Sequence, residues 1–152
     1  MDENKIESLN GNVFSSLVLL EKLNVSNNLI IDIDENVFAN LTKLKQLYLD
    51  KNKIESLNKN VFNSLKSLEI LSFSNNLIKA LDENVFTNQT NLKQLYMDKN
   101  KIKSLNGNVF SSLQSLEKLN VSNNLIIDID ENVFANLTNL KQLYLDKNKI
   151  KS

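Results

Sequence analysis

Side chains suited to molecular recognition recur around the three tyrosines of the chain, at a spacing of 48 residues. Each tyrosine lies two residues after a glutamine and is followed by an aspartate and a lysine. Aromatic rings among adaptable hydrogen-bonding groups are typical of surfaces that bind proteins. The predicted partner-binding residues are Gln46, Tyr48, Asp50, Lys51, Gln94, Tyr96, Asp98, Lys99, Gln142, Tyr144, Asp146 and Lys147. Tyrosine is also a favourable strand residue that duplication alone would copy, so a purely structural interpretation stays open.

Other kinds of chemistry lack the residues that they usually need. The 152 residues include no His and no Cys, which excludes imidazole catalysis, thiol chemistry and the common zinc sites. Acidic clusters around Asp32 and Asp128 could ligate Ca²⁺, but neither has the glycine turn or the ligand spacing of a calcium loop. No unique set of nucleophile, base and orienting group stands out. We therefore predict a protein without enzymatic activity, cofactor or metal.

Charge and hydropathy restrict the class of partner. Eighteen basic residues balance eighteen acidic ones, and every basic residue is a lysine. Nucleic acid is an improbable partner, because phosphate and guanine contacts depend heavily on arginine. No apolar run is long enough for a membrane-spanning helix, and no signal-peptide pattern marks the first 30 residues. The expected partner is a protein, either an unknown ligand or further copies of the chain.

An internal repeat of 24 residues positions all of these side chains. Its first residues are Leu20, Leu44, Leu68, Leu92, Leu116 and Leu140. Apolar residues recur at positions 1, 4, 6, 11, 14, 18, 19 and 22 of each unit, and position 9 is always Asn. We predict a single solenoid over 1–152. Its partial repeats are 1–19 and 140–152, and its full repeats are 20–43, 44–67, 68–91, 92–115 and 116–139.

The pattern LxxLxLxxNxL with the tail LxxxVFxxL resembles the leucine-rich repeat family, in its 24-residue extracellular type but without cysteine caps. The resemblance covers 1–152. It implies an α/β-type repeat solenoid, a right-handed curved coil with a parallel β-sheet on its concave face. Its convex side would be mostly irregular, with short helices or short strands. The resemblance also implies a non-catalytic protein-interaction module of a secreted or cell-surface protein, which binds through the strand face.

The residues themselves agree with that architecture. Positions 3 to 7 alternate, with residues such as Leu23 and Val25 pointing inward, which predicts a short strand in each repeat. Units of one length then stack as a parallel ladder with right-handed crossovers. A phenylalanine column is predicted opposite the strands, formed by Phe14, Phe38, Phe62, Phe86, Phe110 and Phe134. Phe73 occupies an inward strand position instead.

Asparagine dominates the polar residues, with 27 copies. One series recurs at position 9: Asn4, Asn28, Asn52, Asn76, Asn100, Asn124 and Asn148. A side-chain amide both donates and accepts, so it can satisfy backbone groups where the chain leaves the sheet. We predict a structural ladder. A different set carries the Asn-x-Ser/Thr pattern for N-glycosylation: Asn24, Asn40, Asn88, Asn120 and Asn136. Glycans on Asn24 and Asn120 would cover part of the strand face and favour a structural role.

Two further series alternate from repeat to repeat. Position 2 reads Glu21, Lys45, Glu69, Lys93, Glu117 and Lys141, which predicts a continuous ladder of opposite charges that holds the register. Position 10 places Leu29, Leu77 and Leu125 along one lateral edge, where they form a candidate lateral contact or pack locally.

Neither end of the sequence shows a cap of the kind that solenoids normally have. Residues 116–152 match 20–56 at 35 of 37 positions, which indicates recent duplication or design. The chain is then a fragment of a longer array, a designed or truncated chain, or a subunit that stacks end to end. The alternative to an interaction module is therefore a structural protein that assembles into a filament, end to end or laterally.

Overall fold

Short parallel strands joined by turns make up residues 4–151, the part of the chain that the computed structural model describes. Its strands are β1 (Ser8–Leu9), β2 (Lys22–Asn24), β3 (Asp32–Ile33), β4 (Gln46–Tyr48), β5 (Ile70–Ser72), β6 (Gln94–Tyr96), β7 (Ser104–Leu105), β8 (Lys118–Asn120), β9 (Asp128–Ile129) and β10 (Gln142–Tyr144). One strand from each repeat enters a six-stranded sheet in the order β2-β4-β5-β6-β8-β10. This confirms the predicted parallel-sheet solenoid.

The register of the main sheet follows the sequence repeat. Leu47 pairs with Leu71, and Leu71 pairs with Leu95, so residues 24 positions apart lie side by side. Each strand is shorter than the five alternating positions predicted. Hydrogen bonds between repeats nevertheless continue past the strand ends, as from the Val25 N–H to the Tyr48 carbonyl at 3.0 Å. A slip by one residue would turn the buried leucines outward, so the core fixes this register.

The convex side consists of turns and two small sheets. Strands β1 and β3 pair in parallel, as do β7 and β9. No helix occurs among residues 4–151, so of the predicted convex elements only irregular segments and short strands are present there. Aspartate side chains stabilise several turns, because Asp34 Oδ1 accepts the Asn36 N–H at 2.8 Å and Asp130 Oδ1 accepts the Asn132 N–H at 2.9 Å.

The core lies between the sheet and the convex turns. Inward strand residues such as Leu47 and Leu49 are fully buried. The phenylalanine column forms the opposite wall, and four neighbouring ring pairs stack with centroids 6.2 to 6.4 Å apart. Phe73 reaches this column from its strand and stacks on Phe86 at 6.4 Å. The predicted positions of both kinds of phenylalanine are confirmed.

One polar side chain enters this core. Gln89 occupies the position that is leucine in the neighbouring repeats, for example Leu65 and Leu113, and it is fully buried. Its Nε2 donates to the Phe62 carbonyl at 2.7 Å, but its Oε1 has no hydrogen-bond partner within the described chain. A buried acceptor without a partner destabilises the folded state.

Candidate functional site

The turn that follows each strand is built by the asparagine series at position 9. Asn76 illustrates its bonding: Nδ2 donates to the Phe73 and Leu49 carbonyls at 3.0 Å each, and Oδ1 accepts the Ile54 N–H at 3.1 Å. The same pattern holds from Asn52 to Asn148. Asn28 donates to the Val25 carbonyl and accepts the Ile6 N–H. These bonds join consecutive repeats at the carboxyl ends of the strands, which is the edge where the predicted binding residues lie.

The residue before each of these asparagines adopts a left-handed backbone conformation. Values of φ between 52° and 57° occur at Asn27, Lys51, Asn75, Lys99, Asn123 and Lys147. Asparagine tolerates this region, whereas a long side chain such as lysine is strained there. The lysines of the predicted patches are therefore held in an unfavourable conformation at the edge of the sheet, a feature that clusters at functional sites.

The three tyrosines lie on the concave face, on every second strand of the main sheet. Each hydroxyl donates to the glutamine on its own strand, at 3.2 Å for Tyr48, 2.8 Å for Tyr96 and 3.3 Å for Tyr144. The structure thus brings the predicted Gln and Tyr together in every patch. Two strand spacings separate successive tyrosines, which is about 10 Å.

Lysines from the intervening strands lie over these rings, and sequence reasoning missed them. The Lys22 ammonium is 5.3 Å from the centroid of Tyr48. The Lys118 ammonium is 5.3 Å from Tyr96 and 5.4 Å from Tyr144, so it bridges two rings. Such cation–π contacts contribute about 0.5–1 kcal/mol at exposed sites. Position 3 of the repeat could have indicated these contacts, because it places lysine on strands next to the tyrosines: Lys22, Gln46, Ile70, Gln94, Lys118 and Gln142.

A concave depression of about 440 Å³ lies between the first two tyrosines. Tyr48 and Tyr96 line it together with Ser72 of the strand between them. Its remaining lining comes from neighbouring repeats at the carboxyl end of the sheet: Asn24, Ser26, Asn27, Asp50, Lys51, Ser74, Asn75, Asp98 and Lys99. Two of the predicted patches therefore meet in one depression.

Asp50 has the most distinctive electrostatics in this depression. Its Oδ1 accepts hydrogen bonds from the Ser72 hydroxyl and from the Ser74 N–H, the latter at 2.8 Å. Burial raises the pKa of the Asp50 carboxyl and nearby Asp98 raises it further, against the lowering effect of the two serine bonds. Burial, with the negative charge of Asp50, also raises the pKa of Tyr48. The depression thus presents partly desolvated carboxylate charge, which favours a cation.

Asp98 is held in a related way, because the Ser74 hydroxyl donates to its Oδ1 at 2.6 Å. The third patch is not part of the depression: Gln142, Tyr144, Asp146 and Lys147 lie on the last described strand and the turn after it. Tyr144 is 41% exposed there. Serines 72 and 74 complete the central site, and sequence reasoning did not single them out.

The charge series at position 2 forms separate pairs. Glu21 and Lys45 are 2.8 Å apart, and the pairs Glu69–Lys93 and Glu117–Lys141 are each 2.9 Å apart. Within residues 4–151 no ion pair joins Lys45 to Glu69 or Lys93 to Glu117. The predicted alternation of opposite charges is present, and Glu21, with a smaller effect of Glu69, raises the pKa of Lys45, but the close ion pairs form between separate neighbours.

The glycosylation motifs lie on both sides of the molecule. Asn24 and Asn120 are partly buried on the concave face, where their Oδ1 atoms accept the N–H groups of Ser26 and Ser122 at 2.9 and 3.1 Å. Asn40 and Asn136 are exposed on the convex side, and Asn88 is partly buried there.

Lysines interrupt the apolar residues of the predicted lateral contact, as the alternation at position 10 implies. Leu29, Leu77 and Leu125 are each partly buried, and the lysines at the same position of the intervening repeats are exposed.

Metal-binding clusters and membrane-spanning helices are both absent from the described ranges. No three acidic side chains among residues 4–151 approach closely enough to hold a metal ion. The same residues contain no helix with the length and apolar character needed to cross a membrane.

A parallel sheet with one strand per 24-residue turn, an asparagine ladder and a phenylalanine column define a leucine-rich repeat solenoid. The model of the BspA-type leucine-rich repeat region matches residues 7–141, in six copies. The chain belongs to the leucine-rich repeat family. No curated protein sequence matches it.

Two solved structures illustrate the likeness of the fold. The crystal structure of the APL1 leucine-rich repeat domain superposes with a TM-score of 0.91 at 24% identity and covers 97% of this chain. The Toll–Spätzle complex of Drosophila superposes with a TM-score of 0.70 at 23% identity and covers 99% of this chain. This chain spans 38% and 27% of the respective proteins, so the likeness concerns the fold.

Proposed function

We propose that the chain is a non-catalytic protein-interaction module that binds a protein partner through its concave tyrosine face. The observation that carries this proposal is the depression between Tyr48 and Tyr96, which aromatic rings, hydroxyls and charged groups line together. Such a mixture suits protein recognition, since rigid rings supply contact area and polar neighbours supply specificity.

The strain at the lysine positions favours the same face. Lys51 and Lys99 adopt φ values of 52° and 55°, where the neighbouring repeats use asparagine. Lysine lowers stability at these positions, so a contact made by its ammonium with a partner would explain its presence.

Secretion or display at a cell surface forms part of the proposal. It rests on the repeat type, on the convex Asn-x-Ser/Thr motifs at Asn40, Asn88 and Asn136 and on the fold shared with the Toll–Spätzle complex. Expression in a secreting eukaryotic cell tests whether these motifs carry glycans: treatment with an N-glycosidase should lower the mass of the secreted chain. An unchanged mass would contradict glycosylation of the convex motifs.

The test of the binding face uses partners selected from a displayed protein library against the folded chain. A variant with Tyr48→Ser, Tyr96→Ser and Tyr144→Ser should lose most of the selected binders while its melting temperature stays close to that of the wild type. A matched control replaces three exposed convex residues, with Thr87→Ser, Asn40→Ser and Asn136→Ser. Binders that tolerate the tyrosine variant and are lost with the control would overturn the proposal.

Self-assembly is the second candidate, and a specific apolar patch favours it. Val18 is 50% exposed and Leu19 is 79% exposed, beside a depression of about 360 Å³ formed with residues 16, 17 and 20. The equivalents of Leu19 in later repeats are Lys43, Ser67, Asn91, Ser115 and Asn139. An exposed apolar patch of this kind suits a contact with a second copy of the chain.

Light scattering over a range of protein concentrations tests self-assembly. Growth in mass that the double variant Val18→Thr and Leu19→Lys abolishes would establish the patch as a contact. A monomer that persists at high concentration would contradict both the end-to-end and the lateral filament.

A further inference from the structure

The central repeat breaks the near-identity of the chain at the binding face. Residues 116–152 match 20–56 at 35 of 37 positions, so almost the same residues precede the first and the last tyrosine patches. The repeat that starts at Leu68 differs, with Ile70 where those repeats have Lys22 and Lys118, and Ser72 where they have Asn24 and Asn120. The substitutions are adjacent on the concave side of strand β5.

The gap between Tyr96 and Tyr144 shows what ordinarily fills the space between two tyrosines. Lys118 lies on the intervening strand and its ammonium is 5.3 and 5.4 Å from the two ring centroids. The protein itself thus demonstrates that a tyrosine pair at this spacing accommodates one cation, attracted by the negative faces of the rings.

The gap between Tyr48 and Tyr96 is also bounded by two tyrosine rings, but no lysine lies on strand β5 between them. Lys22 and Lys118 contact these two rings from the strands on either side of the gap. In the sheet, Ile70 pairs with Gln46 on one side and Gln94 on the other. Lys118 has the equivalent position in the next gap, because it pairs with Gln94 and Gln142. Isoleucine cannot supply a cation, and Ser72 is shorter than asparagine. The depression of about 440 Å³ is found in this gap.

The charges around the depression are arranged for a cation at its base. The carboxylates of Asp50 and Asp98 are partly buried and fixed by serine hydrogen bonds, whereas Lys51 and Lys99 are exposed at its edge. Exposed ammonium groups are hydrated and mobile, so they oppose a bound cation less than fixed, half-desolvated carboxylates attract it. Both hydrogen bonds that the Asp50 side chain accepts within residues 4–151 end on Oδ1.

We propose that the Tyr48–Tyr96 gap is a specificity slot that binds a lysine or arginine side chain of the protein partner, in the place that Lys118 fills in the neighbouring gap. This inference rests on the proposed function, since it names the chemistry that the concave face selects. The partner's cation lies between the two rings and its charge is balanced by Asp50 and Asp98.

The first experiment uses capped peptides on the full isotope-labelled chain, followed by amide chemical shifts. The peptide Gly-Gly-Lys-Gly-Gly should shift resonances of Ser72 and Ser74, more weakly as salt is raised. A peptide with norleucine in place of lysine is the uncharged control and should cause no such shifts. Equal shifts with both peptides, or shifts confined to other parts of the chain, would overturn the slot.

Variants of the chain then exchange the residues on the strands between the tyrosines of the two gaps. Ile70→Lys should fill the central gap with an internal ammonium and lower the affinity of the chain for the lysine peptide at least tenfold. Ile70→Leu should leave that affinity nearly unchanged. The double variant Lys118→Ile and Asn120→Ser should open the second gap and raise the number of binding sites from one to two. Both changes only transfer residues that the repeat already holds at the same position, which protects the fold.

A selected protein partner separates failure of the slot from failure of the proposed function. If Ile70→Lys binds that partner as tightly as the wild type while the triple tyrosine variant does not, the slot is wrong and concave-face binding stands. If the triple tyrosine variant also binds it fully while the lysine peptide still shifts Ser72, the slot is correct and the proposed function fails.

Discussion

Single side chains determine how the repeats differ in function, because all repeats have a similar backbone conformation. Ser72 lines a depression between two tyrosines and follows Ile70 on strand β5, while Lys118 contacts both rings of the next tyrosine pair. The tyrosine patches could be predicted from residue types and spacing. The depression could not, since it depends on the volume of two side chains and on which ammonium reaches which ring.

Replacement of Asp50 by Asn tests the electrostatics of the depression. The amide keeps an acceptor for the Ser74 N–H but carries no charge. Because the folded-state pKa of Asp50 is raised, mainly by burial, its stabilising contribution is complete below the unfolded pKa and is lost as pH rises through the folded value. The free energy of unfolding of Asp50→Asn, relative to the wild type, should therefore increase as pH rises from below the unfolded pKa of about 3.9 through the raised folded-state pKa.

Urea unfolding at a series of pH values measures this difference. The exposed Asp32→Asn variant controls for the loss of one carboxylate from the chain as a whole. A relative stability of Asp50→Asn that stays constant or falls with increasing pH would contradict the description of Asp50 as a desolvated carboxylate.

Gln89 offers a second prediction at this scale. Gln89→Leu should increase the free energy of unfolding by about 1–3 kcal/mol, because it removes a buried acceptor without a partner. The Phe62 carbonyl keeps its hydrogen bond from the Leu65 N–H at 2.9 Å, so the substitution leaves that group satisfied. The midpoint of urea unfolding measures the change. The reverse substitution in the next repeat, Leu113→Gln, should lower the midpoint, and a lower midpoint for Gln89→Leu would refute the argument.

At the scale of elements, the alternating apolar pattern was enough to place one strand in each repeat and to align the strands. Each strand is only three residues long in the main sheet, since the chain turns away after the tyrosine position. The left-handed residue in that turn could not be inferred from lysine, which ordinarily avoids this conformation. The predicted charge series forms separate close pairs, because the Lys45 and Lys93 ammonium groups each contact one of their two neighbouring glutamates.

The asparagine ladder makes the turn an element of stability, and Asn76→Ala tests it. The substitution leaves the buried Ile54 N–H without its acceptor, whereas the Leu49 and Phe73 carbonyls keep hydrogen bonds from the Asn52 and Asn100 amides. We expect a loss of about 1–3 kcal/mol in the free energy of unfolding, from one buried group that is left unpaired.

Chemical denaturation with far-ultraviolet circular dichroism measures that loss. The matched control is Asn108→Ala on the exposed convex side, which should change stability by no more than about 0.5 kcal/mol. Similar losses for the two variants would show that the ladder contributes little beyond an ordinary surface asparagine.

At the scale of the whole molecule, the repeat period determined the fold. The parallel sheet, the phenylalanine column and the asparagine ladder follow from one 24-residue pattern, because each repeat buries its apolar face only against its neighbours. Function depends on departures from that pattern. The concave face is chemically uniform except at its centre, and the proposed binding of a partner therefore concentrates there.

Amide chemical-shift mapping of a library-selected protein partner on the wild-type chain tests the concave-face proposal most directly. We predict that the largest changes lie on strands β4, β5 and β6 and in the turns that follow them, centred on Ser72. Changes centred on convex residues such as Thr87 and Asn88, with Ser72 unaffected, would contradict it.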